Sequence, residues 1–308
     1  METNNTIHYH IPVMLTECLE GLNIRPDGIY IDVTFGGGGH SRAIFSKLSS
    51  EGKLIAFDQD PDALANVWEA DNFQLIPSNF AFLKNYLRSL GIDKVDGILA
   101  DLGVSSHQFD EGKRGFSIRT NDPLDMRMNQ NGAFSAMNVV NEYEEEQLIK
   151  ILRKYGEVTS PGKVAGTICR GRQATPIKTT GELIAVLQKI APKFKEHKFF
   201  AQVFQAIRME VNNELDVLEK FLLQTAEVLK PGGRLVVMSY HSLEDRLVKN
   251  YMKRGNLDGS IEKDFFGNIL KPFSDVTRKP ISPTEEEMEL NSRARSAKLR
   301  IAERTNGK

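Results

Sequence analysis

The sequence lacks several features that would settle its class at once. It has two cysteines, Cys18 and Cys169, far apart and at no metal-ligand spacing. A disulfide framework is therefore excluded, a cysteine-built zinc site is not expected, and two thiols fit a reducing cytoplasm. No apolar run reaches the roughly 18 residues of a transmembrane helix, so no membrane span is expected. The opening Met1-Glu2-Thr3-Asn4-Asn5-Thr6 has no basic-then-apolar order, so no signal peptide is expected either. The pairs His8/His10 and His40/His241 have no carboxylate or cysteine at ligand spacing, and no metal site is expected. Internal repeats and low-complexity tracts are missing too.

What is present is a chain of 308 residues, 40% hydrophobic and 26% charged. That allows two domains, or one domain with a large insertion. The net charge of −1 conceals segregation. Lys150–Arg208 holds 12 Lys/Arg against 3 Glu, and Asn291–Lys308 holds 6 against 1, so the rest is correspondingly acidic. Such segregation suggests a basic face for a polyanion; the alternative is solvated helix faces.

The first hundred residues alternate strand and helix signals. Short apolar, β-branched segments at Gly28–Val33, Lys53–Phe57, Phe73–Ile76 and Val95–Ala100 predict strands. Between them lie predicted helices at Ser41–Leu48, from Pro61 onward, and at Phe80–Leu90. This rhythm predicts a parallel sheet covered on both faces. A polar stretch at about 109–127 has no period, and helix-like segments follow at Glu142–Tyr155, Pro161–Gly171 and Thr180–Ile190. These predict a helical insertion that carries the basic excess. The α/β rhythm resumes near Val211. A helix is predicted at Glu214–Leu229, a turn at Pro231-Gly232-Gly233, a strand at Arg234–Met238 and a helix to about Lys253. Asn256–Glu289 reads as loop, and Ala297–Ala302 as a terminal edge strand.

The strongest local signal is Asp32-Val33-Thr34-Phe35-Gly36-Gly37-Gly38-Gly39-His40-Ser41, at a strand-to-helix junction. Glycines let the chain turn sharply and let a ligand approach the backbone. A dinucleotide fingerprint counted from Gly36 would need glycine where Ser41 stands. A methyltransferase site needs an acid four residues before Gly-x-Gly, and Asp32 with Gly36-Gly37-Gly38 supplies it; that acid can pair with a methionine ammonium. A plain tight turn is the alternative. Asp58 ends the second strand, where a ribose-binding acid is expected; otherwise it caps the next helix. Asp101 ends the fourth strand, at the edge where open α/β sheets bind ligands, or caps its loop. His241 follows a buried strand, as a substrate ligand or a hydrogen-bonded core residue.

At this point the sequence resembles a known family, the bacterial 16S rRNA cytosine-N4 methyltransferases that modify a P-site cytidine (cytidine 1402 in customary rRNA numbering). The resemblance covers nearly the whole chain. It rests on His10-Ile11-Pro12-Val13, the glycine motif through Ser41, and Asp101-Leu102-Gly103-Val104-Ser105-Ser106. It continues through Arg114-Gly115-Phe116-Ser117, Pro123-Leu124-Asp125-Met126-Arg127-Met128 and Tyr155-Gly156-Glu157. Phe204-Gln205-Ala206-Ile207-Arg208, His241-Ser242-Leu243-Glu244-Asp245-Arg246 and Arg295-Ser296-Ala297-Lys298-Leu299-Arg300 complete it.

The resemblance implies a class I methyltransferase: a seven-stranded Rossmann-like α/β sheet, residues 1–109 and 208–308, with a helical substrate domain inserted at 110–207. It implies S-adenosylmethionine as cofactor and 16S rRNA of the small subunit as partner. It places that cofactor against Gly38, Gly39, His40, Asp58, Phe80, Asp101 and Gln108, beside Asp32 and Gly36 of the glycine motif. Phe80 as an adenine contact competes with Phe80 as a core anchor for its helix. Asp101, and less so His241, are the candidates to accept the target amine's hydrogens. The chain departs from the family's pattern at His107 and Phe109, around Gln108, and at Tyr240, where Phe is common. A non-catalytic RNA-binding assembly factor is the rival reading. A DNA N-methyltransferase is disfavoured, because Asp101-Leu102-Gly103-Val104 is not its Pro-Pro-aromatic motif.

Overall fold

The computed structural model describes residues 12–105, 108–109 and 113–306. The motif residues His10, Ile11 and Ser106, with His8 and His107, lie outside them. The described chain folds into two compact units. The first runs from the start of the described chain to Asp58, through Asp62–Gly103, and from Leu218 to its end. The second comprises Gln59–Pro61 and Val104–Val217.

The first unit is built on seven strands: β1 (Ile29–Asp32), β2 (Lys53–Phe57), β3 (Phe73–Ile76), β4 (Val95–Asp101), β5 (Leu229–Ser239), β6 (Phe273–Asp275) and β7 (Lys298–Arg304). Their order is β3-β2-β1-β4-β5-β7-β6. The first five are parallel, and β7 runs antiparallel between β5 and β6. This is the expected Rossmann-like methyltransferase sheet. The order reverses between β1 and β4, which opens a crevice beyond their carboxyl ends.

Both faces of the sheet are covered, which is why its strands are almost continuously apolar. Alternate residues point to opposite sides. Ile31, Ile55, Ile98 and Val237 pack with Leu83, Leu87, Phe221 and Met252 in one core. Tyr30, Leu54, Leu99 and Val236 pack with Cys18, Leu22 and Ile44 in another.

The structure corrects several local expectations. The segment from Pro61 is a 3-10 turn, Pro61–Asn66, rather than an α-helix. Pro231-Gly232-Gly233 does not end a helix before the strand but lies inside β5. The β4 register jumps from Val95↔Leu229 to Gly97↔Arg234 across it, and Gly232 sits at φ 79°. A proline without an N–H and a left-handed glycine make the bulge that this excursion requires. The 256–289 stretch contributes the edge strand β6 and the helix Glu285–Leu290. A helix at Leu15–Leu22, with Cys18 and Leu22 buried, was not expected.

The second unit is helical: Ala136–Glu142, Glu145–Lys154, Pro161–Ala174, Thr180–Gln188 and Glu196–Val211. Val140, Leu152, Ile168, Leu187, Val203 and Phe204 are among its buried core. Two of these helices, Ala136–Glu142 and Glu196–Val211, go beyond the three expected. Glu196–Val211 buries Phe199, Phe200, Val203, Phe204 and Ile207 at helical spacing.

One buried acid ties the first unit's strand starts together. Asp96 of β4 accepts from Lys230 Nζ and from the Ile29 amide, both at 2.8 Å, and pairs with Arg25. Burial pushes its pKa up, but the Lys230 hydrogen bond, the Ile29 amide and Arg25 outweigh this and hold it below the ordinary range. Asp96→Ala should cost about 1–3 kcal/mol at neutral pH, since buried donors lose their acceptor. A depressed folded pKa gives stability that is present above the unfolded pKa and lost as pH falls through the folded one. The gap between variant and wild type in urea titrations should therefore close below about pH 4.

Candidate active site

The site grows from the carboxyl ends of β1, β2, β4 and β5. After β1 the chain turns through Gly36 (φ 49°) and Gly38 (φ 75°) into the helix Gly39–Phe45. This helix starts two residues earlier than expected, because Gly38 supplies the left-handed cap. A side chain at Gly38 would meet the Phe35 ring at 3.0 Å, whereas Gly37 has open space around it. A ligand can approach the main chain there.

Asp32 shapes this turn. Its Oδ1 accepts from the Thr34 amide at 3.0 Å and the Thr34 hydroxyl at 3.3 Å, and its Oδ2 from the Ser41 hydroxyl at 2.7 Å. At 1% exposure it is committed to the loop. In this position it holds the residues that form the cradle. Asp58, just beyond β2, accepts from the Gly36 amide at 2.7 Å, and Asn66 Nδ2 holds the Gly36 carbonyl at 3.0 Å. Asp58 thus braces the glycine loop from the neighbouring strand.

Asp101 ends β4. Its amide donates to Thr34 Oγ1 at 2.7 Å, and its Oδ1 accepts from the Tyr240 hydroxyl at 2.8 Å. Its Oδ2 lies 3.7 Å from His40 Nδ1, and its side chain keeps 23% of its surface exposed. Burial pushes its pKa up to about 6, against the lowering pull of His40 and the Tyr240 hydroxyl, with Asp32 and Glu244 adding to the rise. Tyr240 is pushed far above its ordinary value by burial and by Asp101, so it stays a neutral donor.

The remaining expected residues lie as follows. Phe80 is half-buried and meets Phe221 edge-on, centroids 5.3 Å apart, which is the core-anchor alternative. His241 caps the helix Ser242–Arg254: its Nδ1 accepts from the Glu244 amide at 3.4 Å, and its Nε2 lies 3.1 Å from Glu244 Oε1. That is a local capping role, which fits the hydrogen-bonded alternative for this residue. Gln108 belongs to the second unit. Its Nε2 donates to Asp60 Oδ2 at 2.6 Å and its Oε1 accepts from the Ser105 amide at 3.1 Å. Asp60 also pairs with the buried Arg114 at 2.9 Å.

Sequence reading passed over Thr34, Asn66 and Asp60. Thr34 stood in plain view within Asp-x-Thr; nothing local marked Asn66. Tyr240 was noticed only as a departure.

The raised pKa of Asp101 makes a prediction. The folded chain holds this proton more tightly than the unfolded one, so the stability is full below the unfolded pKa and lost as pH rises through the folded value. Asp101→Asn cannot ionise. It should match wild type near pH 4 and exceed it by about 1–3 kcal/mol at about pH 8 in chemical denaturation. Equal curves at both pH values would mean that Asp101 ionises without penalty.

With this geometry in place, known proteins can be compared. A model of the MraW methylase family matches residues 7–305. The ribosomal RNA small subunit methyltransferase H of Flavobacterium johnsoniae is 56% identical over 299 residues, covering 97% of this chain and 99% of that one. The protein of the same name from Cytophaga hutchinsonii is 56% identical over 298 residues, covering 96% and 99%. A solved rRNA methylase from Streptococcus thermophilus is similar over 95% of this chain and 94% of that one, but only at 13% identity and a TM-score of 0.40. Matched along nearly its whole length, and more than half identical to relatives of the same extent, the chain belongs to the MraW methylase family.

Proposed function

We propose that this chain transfers a methyl group from S-adenosylmethionine to the N4 amine of a cytidine in 16S rRNA of the small ribosomal subunit, the P-site cytidine 1402. The observation that carries the chemistry is Asp101: a partly exposed carboxylate at the switch point, next to an open glycine turn. The family and the names of its relatives supply the substrate. The chain acts where small-subunit rRNA is made, in the cytoplasm; among the described residues no helix is long and apolar enough to cross a membrane.

The residues present fit the cofactor. The open main chain at Gly37, flanked by Gly36, Gly38 and Gly39, takes the methionine end, with His40 and Asp101 beside it. Asp58 takes the ribose hydroxyls, and Phe80 lies on the adenine side. Asp32 holds the glycine turn, and Gln108 is engaged by Asp60 within the second unit. S-adenosylmethionine supplies an electrophilic methyl group on a sulfonium.

The protein's own work is on the nucleophile. A cytosine amine is weak because its lone pair is delocalised into the ring. Holding it in line supplies a large share of the rate. A carboxylate that accepts its hydrogens localises the lone pair; Asp101, ionised above about pH 6 at the end of β4, is the proposed acceptor.

The helical unit is the proposed rRNA-binding part. Lys163 and Arg170 on the helix Pro161–Ala174 are exposed, whereas Arg172 Nη1 donates to the Val140 carbonyl at 2.7 Å. Arg172 therefore serves the fold, and phosphate contacts fall to its neighbours.

Two results are expected. Tritium transfer from labelled S-adenosylmethionine to small subunits, followed by nucleoside analysis, should give N4-methylcytidine. Label on ring carbon 5 or on adenine would overturn the reaction, and no transfer despite tight rRNA binding would favour an assembly factor. In calorimetric titration, Asp58→Ala should weaken S-adenosylmethionine binding about 10–150-fold, the cost of a lost hydrogen bond to a charged group. An unchanged dissociation constant in the folded variant would remove Asp58 from the site.

A further inference from the structure

The amide and the two carboxylate oxygens of Asp101 each face a different group. Its amide is fixed to Thr34 Oγ1, whose own proton points to Asp32 Oδ1. Its Oδ1 is taken by the Tyr240 hydroxyl at 2.8 Å. Its Oδ2 faces His40 Nδ1 at 3.7 Å.

The tautomer of His40 follows from its other nitrogen. Nε2 lies 3.1 Å from the Val13 carbonyl oxygen, which can only accept, so Nε2 carries a hydrogen. In neutral His40, Nδ1 is then bare and presents a lone pair to Asp101 Oδ2. With Asp101 ionised, two lone pairs face each other across this gap. The pair has room for one proton, on Oδ2 or on Nδ1.

Tyr240 is itself held on three sides. Its amide donates to Glu244 Oε2 at 3.1 Å. Its ring lies over Gly103, at φ 102°, where a Cβ would stand 3.4 Å from Tyr240 Cδ2. Its hydroxyl ends on Asp101. A ring this well placed is a fixed arm, and its oxygen is the one atom by which tyrosine differs from phenylalanine here.

We propose that Tyr240 is a positioning residue for methyl transfer: its hydroxyl occupies Asp101 Oδ1, so that Oδ2 alone collects the proton leaving the target amine and passes it to His40 Nδ1. This rests on the methyltransferase reading above. The step balances. The N4 lone pair would form the bond to the methyl carbon as the methyl–sulfur bond breaks, with that bond's electron pair leaving on sulfur as a neutral thioether; N4 also loses one N–H bond, whose electron pair stays on nitrogen. The proton moves to Oδ2 and then to Nδ1. The proton on Nδ1 then faces the restored Asp101 carboxylate, and leaves to solvent through the partly exposed Asp101 side chain between turnovers.

The groups that bear on this titration come from several sides of Asp101: His40, Tyr240, Asp32 and Glu244, while the nearby buried thiol of Cys18 stays neutral. Among the described residues Tyr240 is the side chain that donates to Asp101 Oδ1, so removing its oxygen isolates one contribution.

The test is Tyr240→Phe, read in two ways. In carbon-labelled free protein, NMR should show the Asp101 carboxyl titrating about one pH unit higher or more, because the charged form loses a donor. With rRNA substrate, the acid limb of the kcat profile should move up by the same amount, so that kcat falls most at acid pH while KM changes less than twofold. Placing 3-fluorotyrosine, a stronger donor, at position 240 should move both midpoints down. Unmoved midpoints in the folded variant would overturn the proposal, as would a kcat reduced by one factor at every pH, which is the mark of lost packing. Should Tyr240→Phe fail to fold, the fluorotyrosine protein decides alone, since unmoved midpoints there are equally fatal. A wild-type protein that transfers no methyl to rRNA would defeat the underlying reading instead, and the NMR midpoints would still report on the Tyr240 clamp.

Discussion

The site depends on one buried carboxylate. Asp32 ends β1 almost completely enclosed, and a carboxylate in that position must have its oxygens satisfied. It is satisfied by residues that come after it: the amide and hydroxyl of Thr34 and the hydroxyl of Ser41. Those bonds bend the chain back over the end of the strand and place Gly36–Gly39 at the crevice. Through Thr34 the same carboxylate reaches the Asp101 amide on the next strand. The two central strands thus end in a single hydrogen-bonded unit.

A second constraint acts on the first. Asp58, one strand away, holds the Gly36 amide, and two residues later Asp60 is bound by Gln108 and Arg114 within the helical unit. The short stretch after β2 therefore carries one acid for each unit. Buried acids of this kind are retained when their partners are well arranged, since an unpaired one would be costly. Among the partners of Asp60 are Gln108, Arg114 and Gln130.

Asp101 is treated differently. Burial and neighbouring acids lift its pKa to about 6, while a phenol and an imidazole pull it down. A group in this range is ionised at neutral pH yet still basic enough to take up a proton, which suits general-base chemistry. The cost is stability at high pH, a common exchange at functional sites.

Much was legible from local pattern. The five parallel strands were readable because each is a short apolar run closed by turn residues, and the acids at their ends because strand ends in an open α/β sheet face the crevice. Helices at Glu145–Lys154, Pro161–Ala174 and Thr180–Gln188 showed through periodicity and capping. What escaped lacked a local cause. Three-residue β6 is a strand only because β7 pairs with it, and Pro231–Gly233 lies within β5 only because β4 runs alongside. The Tyr240–Asp101 bond joins residues 139 apart, and the Thr34–Asp101 bond residues 67 apart. His241 read equally as a ligand or a hydrogen-bonded residue, because its bond to the Glu244 amide depends on the cap geometry of the helix that follows. Periodicity and glycine placement, which act over a few residues, determined the sheet, the glycine turn and the acids beside it. Which oxygen each acid offers was decided by tertiary structure, because that depends on donors brought from distant strands.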